Sequence, residues 1–350
     1  MRVLLLIIAS LVATLIVVAW VTSQPVFDEP LAVQPDAFDI LPPAEALTLA
    51  RDASGRVLLV READPETMRG VDLSAHTGAA LRDAVDAVRA LGWEGLQAAA
   101  SSDAEITVPL ATLIVPVDAG GQHIAAGTNF RAHAQEVGLD GEPFLFPKVS
   151  KPSSWNAEVV RRGRLDFEVE LCAVGLTALE PRQPSQLGFL LCNDFTDRWR
   201  LLAEIDLDEP MGRTGFADAK GGSTMLPVGL FLVVPADVSV FHERVQLSLG
   251  VNGRLLQRAS AELMVWTPHR VAQQALEACE ERFASVEGNL QIADCERIPS
   301  RTLLLTGTPE GVLFHFLNIW SPWSYLRGGD EVVSYGSHLG MLRNVVVESG

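Results

Sequence analysis

The hydrophobic pattern divides the chain into four parts. After Met1 and Arg2 comes VLLLIIASLVATLIVVAWV, nineteen residues without a charge, with Trp20 near the far boundary. A helix of that length can span a hydrocarbon core of about 30 Å. It exceeds the usual apolar core of a signal peptide, although VTS before Gln24 would serve as a cleavage site. With Arg2 on the near side and acidic FDEP beyond, the pattern predicts a membrane-anchored or exported protein whose body is periplasmic. The alternative is a cytoplasmic protein with a buried apolar start. Residues 23–44 carry prolines and acids and read as a linker.

Residues 45–110 predict a small mixed α/β region. GRVLLVRE reads as a strand, and ALRDAVDAVRALG places Leu81, Val85, Val88 and Leu91 on one helical face, with Gly92 as its stop. From 111 to 350, short apolar or alternating runs recur between turn signals: TLIVPV, RLDFEVELCAVGL, LGFLLCND, GLFLVV, VQLSLGVNGRLLQ, RTLLLTG and NVVVES. VNGR is a hairpin turn, and PHRVAQQALEACEERF is the main helical pattern. The fold class is therefore α+β and β-rich, of barrel, roll or sandwich type with some helix.

Composition narrows the function. Nearly half the residues are apolar, enough for a full core. A formal charge of −17 argues against a nucleic-acid partner, whose phosphates would be repelled. Of 27 basic residues only Lys148, Lys151 and Lys220 are lysines. In a chain that uses arginine for ordinary solvated charge, a compact ammonium whose pKa shifts on burial marks a place of interest. Cys279 and Cys295 flank a short segment, and an oxidising compartment would permit a disulfide there, contributing about 3 kcal/mol. Cys172 and Cys192 lie in apolar runs and read as small core residues. No C-x-x-C pair supports zinc or thioredoxin-type chemistry.

The candidate chemistry lies beyond residue 120. In a strand, DFEVEL points Glu168 and Glu170 to the same face, and two acids beside an apolar run need positive charge between them. Asp194 ends another apolar strand. Three carboxylates from two strands suit a hard divalent ion such as Mg2+ or Mn2+. Arg198 could clamp a substrate carboxylate, or simply pair with Asp197 at the surface. Lys220 precedes a Gly-Gly turn, and the amides and Thr308 hydroxyl of TGTPEGV could hold an anionic group. His133 and Glu136, three apart in GTNFRAHAQE, are either a general base with its orienting carboxylate or a helix-surface pair.

Taken in order, GTNFRAHAQE, FPK, LDFEVEL, NDFTDR, AKGGSTMLPVG, VNGRLLQ and GTPEGV resemble the signature blocks of the fumarylacetoacetate hydrolase family, over residues 105 to 350. The resemblance implies a mixed β-roll or barrel, a homodimer, and a divalent ion (Mg2+, or Mn2+ or Ca2+) acting on 2-oxo or 1,3-dicarbonyl acids. It places Glu168, Glu170 and Asp194 on the metal, His133 and Glu136 on the catalytic dyad, and Lys220 beside the metal. Lys148, Arg198, Thr224 and Thr308 fall at the substrate. Four positions depart from the family's pattern: Ala126 stands for a further metal-binding aspartate, Phe130 for a tyrosine, Ser223 for an aspartate and Leu230 for a proline. The implied reaction is hydrolysis of a C–C bond in an acylpyruvate-like or 1,3-diketo acid through a metal-stabilised enolate. A decarboxylase, isomerase or hydratase would share that enolate. A non-catalytic, membrane-tethered dicarboxylate binder is the alternative from another class.

Overall fold

The computed structural model of the chain describes residues 2–22, 26–27, 29–139, 141–183, 186–314 and 318–349. VELCAVG and LGFLLCN, apolar on both alternating faces, form the adjacent antiparallel strands Val169–Gly175 and Leu187–Asn193, buried along their whole length. Continuous burial is what a strand covered on both faces requires. These two lie within an eleven-stranded sheet whose order is Ile106–Pro109, Thr67–Asp72, Val57–Ala63, Ala46–Asp52, Leu232–Pro235, Leu187–Asn193, Val169–Gly175, Leu303–Leu305, Gln122–Gly127 and Phe144–Val149. Leu113–Ile114 adds to Ala46–Asp52 off this path. Leu303–Leu305 and Gln122–Gly127 pair in parallel. The strands of the N-terminal region thus continue the same sheet, joined where Ala46–Asp52 pairs with Leu232–Pro235.

A second sheet has the order Arg254–Ser260, Gln246–Val251, Glu331–Gly336, Gly340–Val347 and Val159–Val160. Its first hairpin turns at Asn252 and Gly253, both with positive φ (52° and 78°), the two left-handed positions that a tight VNGR hairpin needs. Both sheets are open paths, so the β-rich α+β class holds without closure into a barrel.

Helices are few and locally encoded. Asp83 caps Ala84–Ala100 by accepting from the Asp86 amide, and Thr267 caps Pro268–Glu277, which has proline in its first turn. Gly92, expected to end the first of these, breaks the helical path with φ 63° without ending it. Helix resumes to Ala100 because the following WEGLQAAA buries Leu96 and Ala99.

One expectation finds no support here, and another fails. The apolar start is helical at Arg2–Thr22, but among the described residues no helix is long and apolar enough to cross a membrane. The membrane anchor is therefore not borne out. Cys172 and Cys192 are not free core thiols but form a disulfide, as do Cys279 and Cys295. Strand register explains the first bond. Cys172 sits opposite Leu190, so Cys192, two residues further, shares its face.

Candidate active site

The acids of DFEVE converge, though not on a regular strand. Val169–Gly175 begins one residue after Glu168, whose backbone amide donates to the Asn193 Oδ1 at 2.9 Å instead of entering the ladder. Glu168, Glu170 and Asp194 nonetheless present ligand atoms that all lie within 4.8 Å of one another, and all three residues are buried. Two lysines hold the cluster. Lys220 donates to Glu168 Oε2 at 2.6 Å, to Asp194 Oδ2 at 2.8 Å and to the Thr196 hydroxyl at 2.8 Å. Lys148 lies 2.6 Å from Asp194 Oδ1, and its ammonium also donates to the carbonyls of Lys220 and Met225 at 2.5 and 2.8 Å. Lys148, expected at the substrate, is fully buried behind the cluster, and Lys151 is exposed.

Arg198 is neither a surface residue nor a partner of Asp197. Its Nε donates to Asp166 Oδ2 at 2.8 Å and its Nη2 to Glu168 Oε1 at 2.5 Å. Asp197 instead caps the helix Arg198–Glu204. Asp166 is the acid the sequence reading passed over. It is the first member of the same alternating run as Glu168 and Glu170, so the period-two pattern could have flagged it. Besides Arg198 it accepts from the amides of Phe167, Leu313 and Phe314, which pins the segment after TGTPEGV against the carboxylates.

The electrostatics set Glu168 and Glu170 apart. Burial opposes ionisation of Glu168, but Lys220, Arg198 and His133 outweigh it and bring its carboxyl down to about 2. Among the described residues Glu170 has no cation at contact. Burial, then the charges of Asp194 and Glu168, push its carboxyl well above the usual range. Its contact is the Gly307 amide, donating to Oε2 at 2.9 Å. Gly307 has φ 88°, and a Cβ there would stand 2.8 Å from the Asn129 Cβ, so close approach of this turn demands glycine. Among Asp166, Glu168, Glu170, Asp194 and the cations Arg198, Lys148 and Lys220, all buried, one negative charge is left over. A divalent ion on three hard carboxylate donors is the chemistry that removes such an excess, so the residues fit a metal.

His133 and Glu136 lie on one turn of the short helix Arg131–Glu136, with Glu136 Oε2 3.1 Å from His133 Nδ1. The other Glu136 oxygen accepts from the Gly311 amide at 3.0 Å. The pair is thus fixed to the glycine-rich turn and is not a free surface pair. Asn129 ties the same segments together, its Nδ2 donating to the carbonyls of Trp266 and Thr306 at 2.8 and 2.7 Å.

His133, Glu168, Arg198, Lys220 and Thr308 line one cavity of about 350 Å³, together with Ala126. The Thr308 hydroxyl donates to the Val169 carbonyl at 3.0 Å and accepts from Gln257 Nε2 at 2.9 Å. Thr224 is elsewhere. Its hydroxyl accepts from the Val160 amide at 3.1 Å, and it does not line the cavity.

Residues 122–347 match the fumarylacetoacetate (FAA) hydrolase C-terminal family. Among solved structures the chain is similar to the fumarylacetoacetate hydrolase of psychrophilic Exiguobacterium antarcticum, with TM-score 0.61 and 18% identity over 87% of this chain and 100% of that one. It is also similar to the maleylpyruvate hydrolase of Sphingobium sp. SYK-6, solved with manganese(II) and pyruvate (TM-score 0.57, 22% identity, 87% and 100% covered). A third is the 2-hydroxyhepta-2,4-diene-1,7-dioate isomerase of Mycobacterium marinum (TM-score 0.54, 19% identity, 87% and 99% covered). At such identities these likenesses establish the fold alone. No curated protein matches the chain. The family match spans well over half the sequence and contains all the carboxylates, the lysines and the His133–Glu136 pair, so the chain belongs to the fumarylacetoacetate hydrolase family.

Proposed function

We propose that the protein is a divalent-metal-dependent hydrolase that cleaves a C–C bond in an acylpyruvate-like or 1,3-diketo acid, using Mg2+ or Mn2+. The observation carrying this reading is a three-acid cluster with Glu170 uncompensated, whose Glu168 lines the same cavity as His133 of the pinned His–Glu pair. Glu168, Glu170 and Asp194 would hold a divalent ion, whose positive charge would polarise the carbonyls of a bound dicarbonyl acid.

The chain's own residues do the rest. Glu136 accepts from His133 Nδ1–H, fixes the tautomer and leaves Nε2 as the base. His133 takes a proton from water as the water oxygen bonds to the acyl carbon. The bond from that carbon to the methylene then breaks, its electron pair passing to the pyruvate fragment. His133 returns the proton to that methylene carbon. One water and one acylpyruvate thus give one carboxylic acid and one pyruvate. Lys220 offsets negative charge as it develops, and Arg198 acts by holding Glu168 rather than by clamping substrate.

The test is a screen of 2-oxo and 1,3-diketo acids with added Mg2+ or Mn2+, with product identification. Release of pyruvate together with a free acid is expected, abolished by EDTA. Products formed without C–C cleavage would replace the hydrolase by an isomerase, hydratase or decarboxylase, and activity insensitive to EDTA would remove the metal from the reading.

A further inference from the structure

Resting on that hydrolase reading, we infer that the substrate is a monocarboxylic acylpyruvate whose acyl group is a long aliphatic or aromatic chain, not a diacid. The cavity is unequal in character. Its charged side chains are confined to the cluster of His133, Glu168, Arg198 and Lys220, while most of the remaining wall is apolar. Phe144, Phe146, Ile205, Leu207, Met211 and Phe216 make up much of that wall. Three of them stack into one surface. Phe216 lies 5.1 Å from both the Phe144 and Phe146 ring centroids, and the Lys220 ammonium sits 5.3 Å from the Phe146 centroid. The apolar surface therefore starts beside the reacting groups and continues to Leu207, which is 78% exposed at the mouth.

The charges in the cavity also exclude a second carboxylate. Lys220 and Arg198 are the described cationic side chains lining it, apart from His133, and both are committed to Glu168 and to Asp194 or Asp166. A distal carboxylate lying on the apolar wall would lose water and gain no cation, a cost that an alkyl or aryl chain does not carry. Burying that chain is favourable in proportion to its length until the wall is covered. The groups that recognise the dicarbonyl head are thereby separated from those that select the tail.

The experiment measures kcat/KM with Mg2+ or Mn2+ for acylpyruvates carrying methyl, propyl, pentyl and phenyl groups, and for a diacid of pentyl length. In parallel, calorimetry measures binding of 2-oxobutanoate, 2-oxohexanoate and 2-oxooctanoate, and of the 2-oxo diacid equal in length to the last. The inference expects both kcat/KM and affinity to rise about fourfold per methylene added, with the diacid the poorest of its length. Met211→Arg, which places a cation on the apolar wall, is expected to shift the diacid-to-monoacid ratio by about tenfold or more toward the diacid. A flat chain-length profile, or a diacid preferred by the unaltered protein, overturns the inference and leaves the hydrolase reading intact. Chain-length-dependent binding with no cleavage of any member does the opposite, supporting the apolar tail site and removing the hydrolase.

Discussion

Arg198 and Arg301 are both buried among carboxylates, and the surroundings of the two differ in one respect. Arg301 closes a joint with buried Asp83 and with Asp86, whose side chain is partly exposed and also faces Arg82. Its Nε and Nη2 donate to Asp83 at 2.7 and 2.9 Å, and Nη2 also reaches Asp86. Asp83 in turn accepts from the Asp86 and Asp118 amides. Burial alone would raise the Asp83 carboxyl, but the Arg301 hydrogen bond and those two amides hold it below its usual value. The bond links residues 218 apart in sequence, fastening the helix Ala84–Ala100 to the turn before Leu303–Leu305. Around Arg198 the same kind of pairing with Asp166 and Glu168 stands next to Glu170, which among the described residues no cation at contact compensates. A buried ion pair with every lone pair used is structure. The same chemistry with an acid in surplus, beside a cavity that Glu168 and Arg198 line, is a candidate site.

Removing charge should act in opposite ways at the two places. Glu170→Gln relieves repulsion in the metal-free protein, so its thermal midpoint should not fall, while activity drops on the order of 10³-fold as metal charge is lost from the reaction. Turnover above a tenth of the unaltered rate would detach Glu170 from the site. His133→Ala is expected to lower kcat by about 10²- to 10⁴-fold with metal affinity kept, since a general base is removed but no ligand. A rate within tenfold of the original would assign the proton transfer elsewhere.

Asp83→Ala should do the reverse, costing about 3 kcal/mol of stability because Arg301 stays buried with only the partly exposed Asp86 left to pair it. Denaturant unfolding measures it, and the folded variant should keep its specific activity within about threefold. A stability loss below 1 kcal/mol would mean that Arg301 finds water instead.

Acid should weaken the fold through His123, which is buried at the strand Gln122–Gly127 and accepts from the Leu303 amide at 3.2 Å. Burial, with the nearby Lys148 charge, lowers its pKa from 6.5 to about 4. Between these values the unfolded chain binds the proton and the folded one does not. Stability is therefore complete above 6.5 and declines as pH falls toward 4, by on the order of 3 kcal/mol. His123→Gln should flatten that part of the stability–pH curve, and an unchanged slope would acquit His123.

The smallest effect separates the two disulfides. Cys172 and Cys192 bridge the strands that carry Glu170 and lead to Asp194, each two residues from an acid, whereas the Cys279–Cys295 bond closes a loop whose residues do not line the cavity. Replacing the first pair by alanines should weaken Mn2+ binding by about tenfold, and replacing the second should leave it unchanged. Equal effects on Mn2+ titration would show that neither bond positions the acids.

Local pattern settled a good deal on its own. The buried strands, the VNGR hairpin, the capped helices and the two-residue spacing of the acids all depend on neighbours close in sequence, where periodicity and turn chemistry act directly. The His133–Glu136 pair was legible for the same reason, as was the ordered run of family blocks. What the tertiary structure decided are relations between distant segments. Strand register joins Cys172 to Cys192 across an apolar pair of strands that look like plain core. Folding buries Lys148 behind Asp194, turns Arg198 inward to Asp166, and sends Thr224 away from the cavity toward Val160. It also lets Ala84–Ala100 run past Gly92, because burying Leu96 and Ala99 outweighs one helix-breaking residue. Charge balance is the clearest case. Each acid's spacing is written locally, but which acid remains unpaired depends on where three cations from three separate segments come to rest.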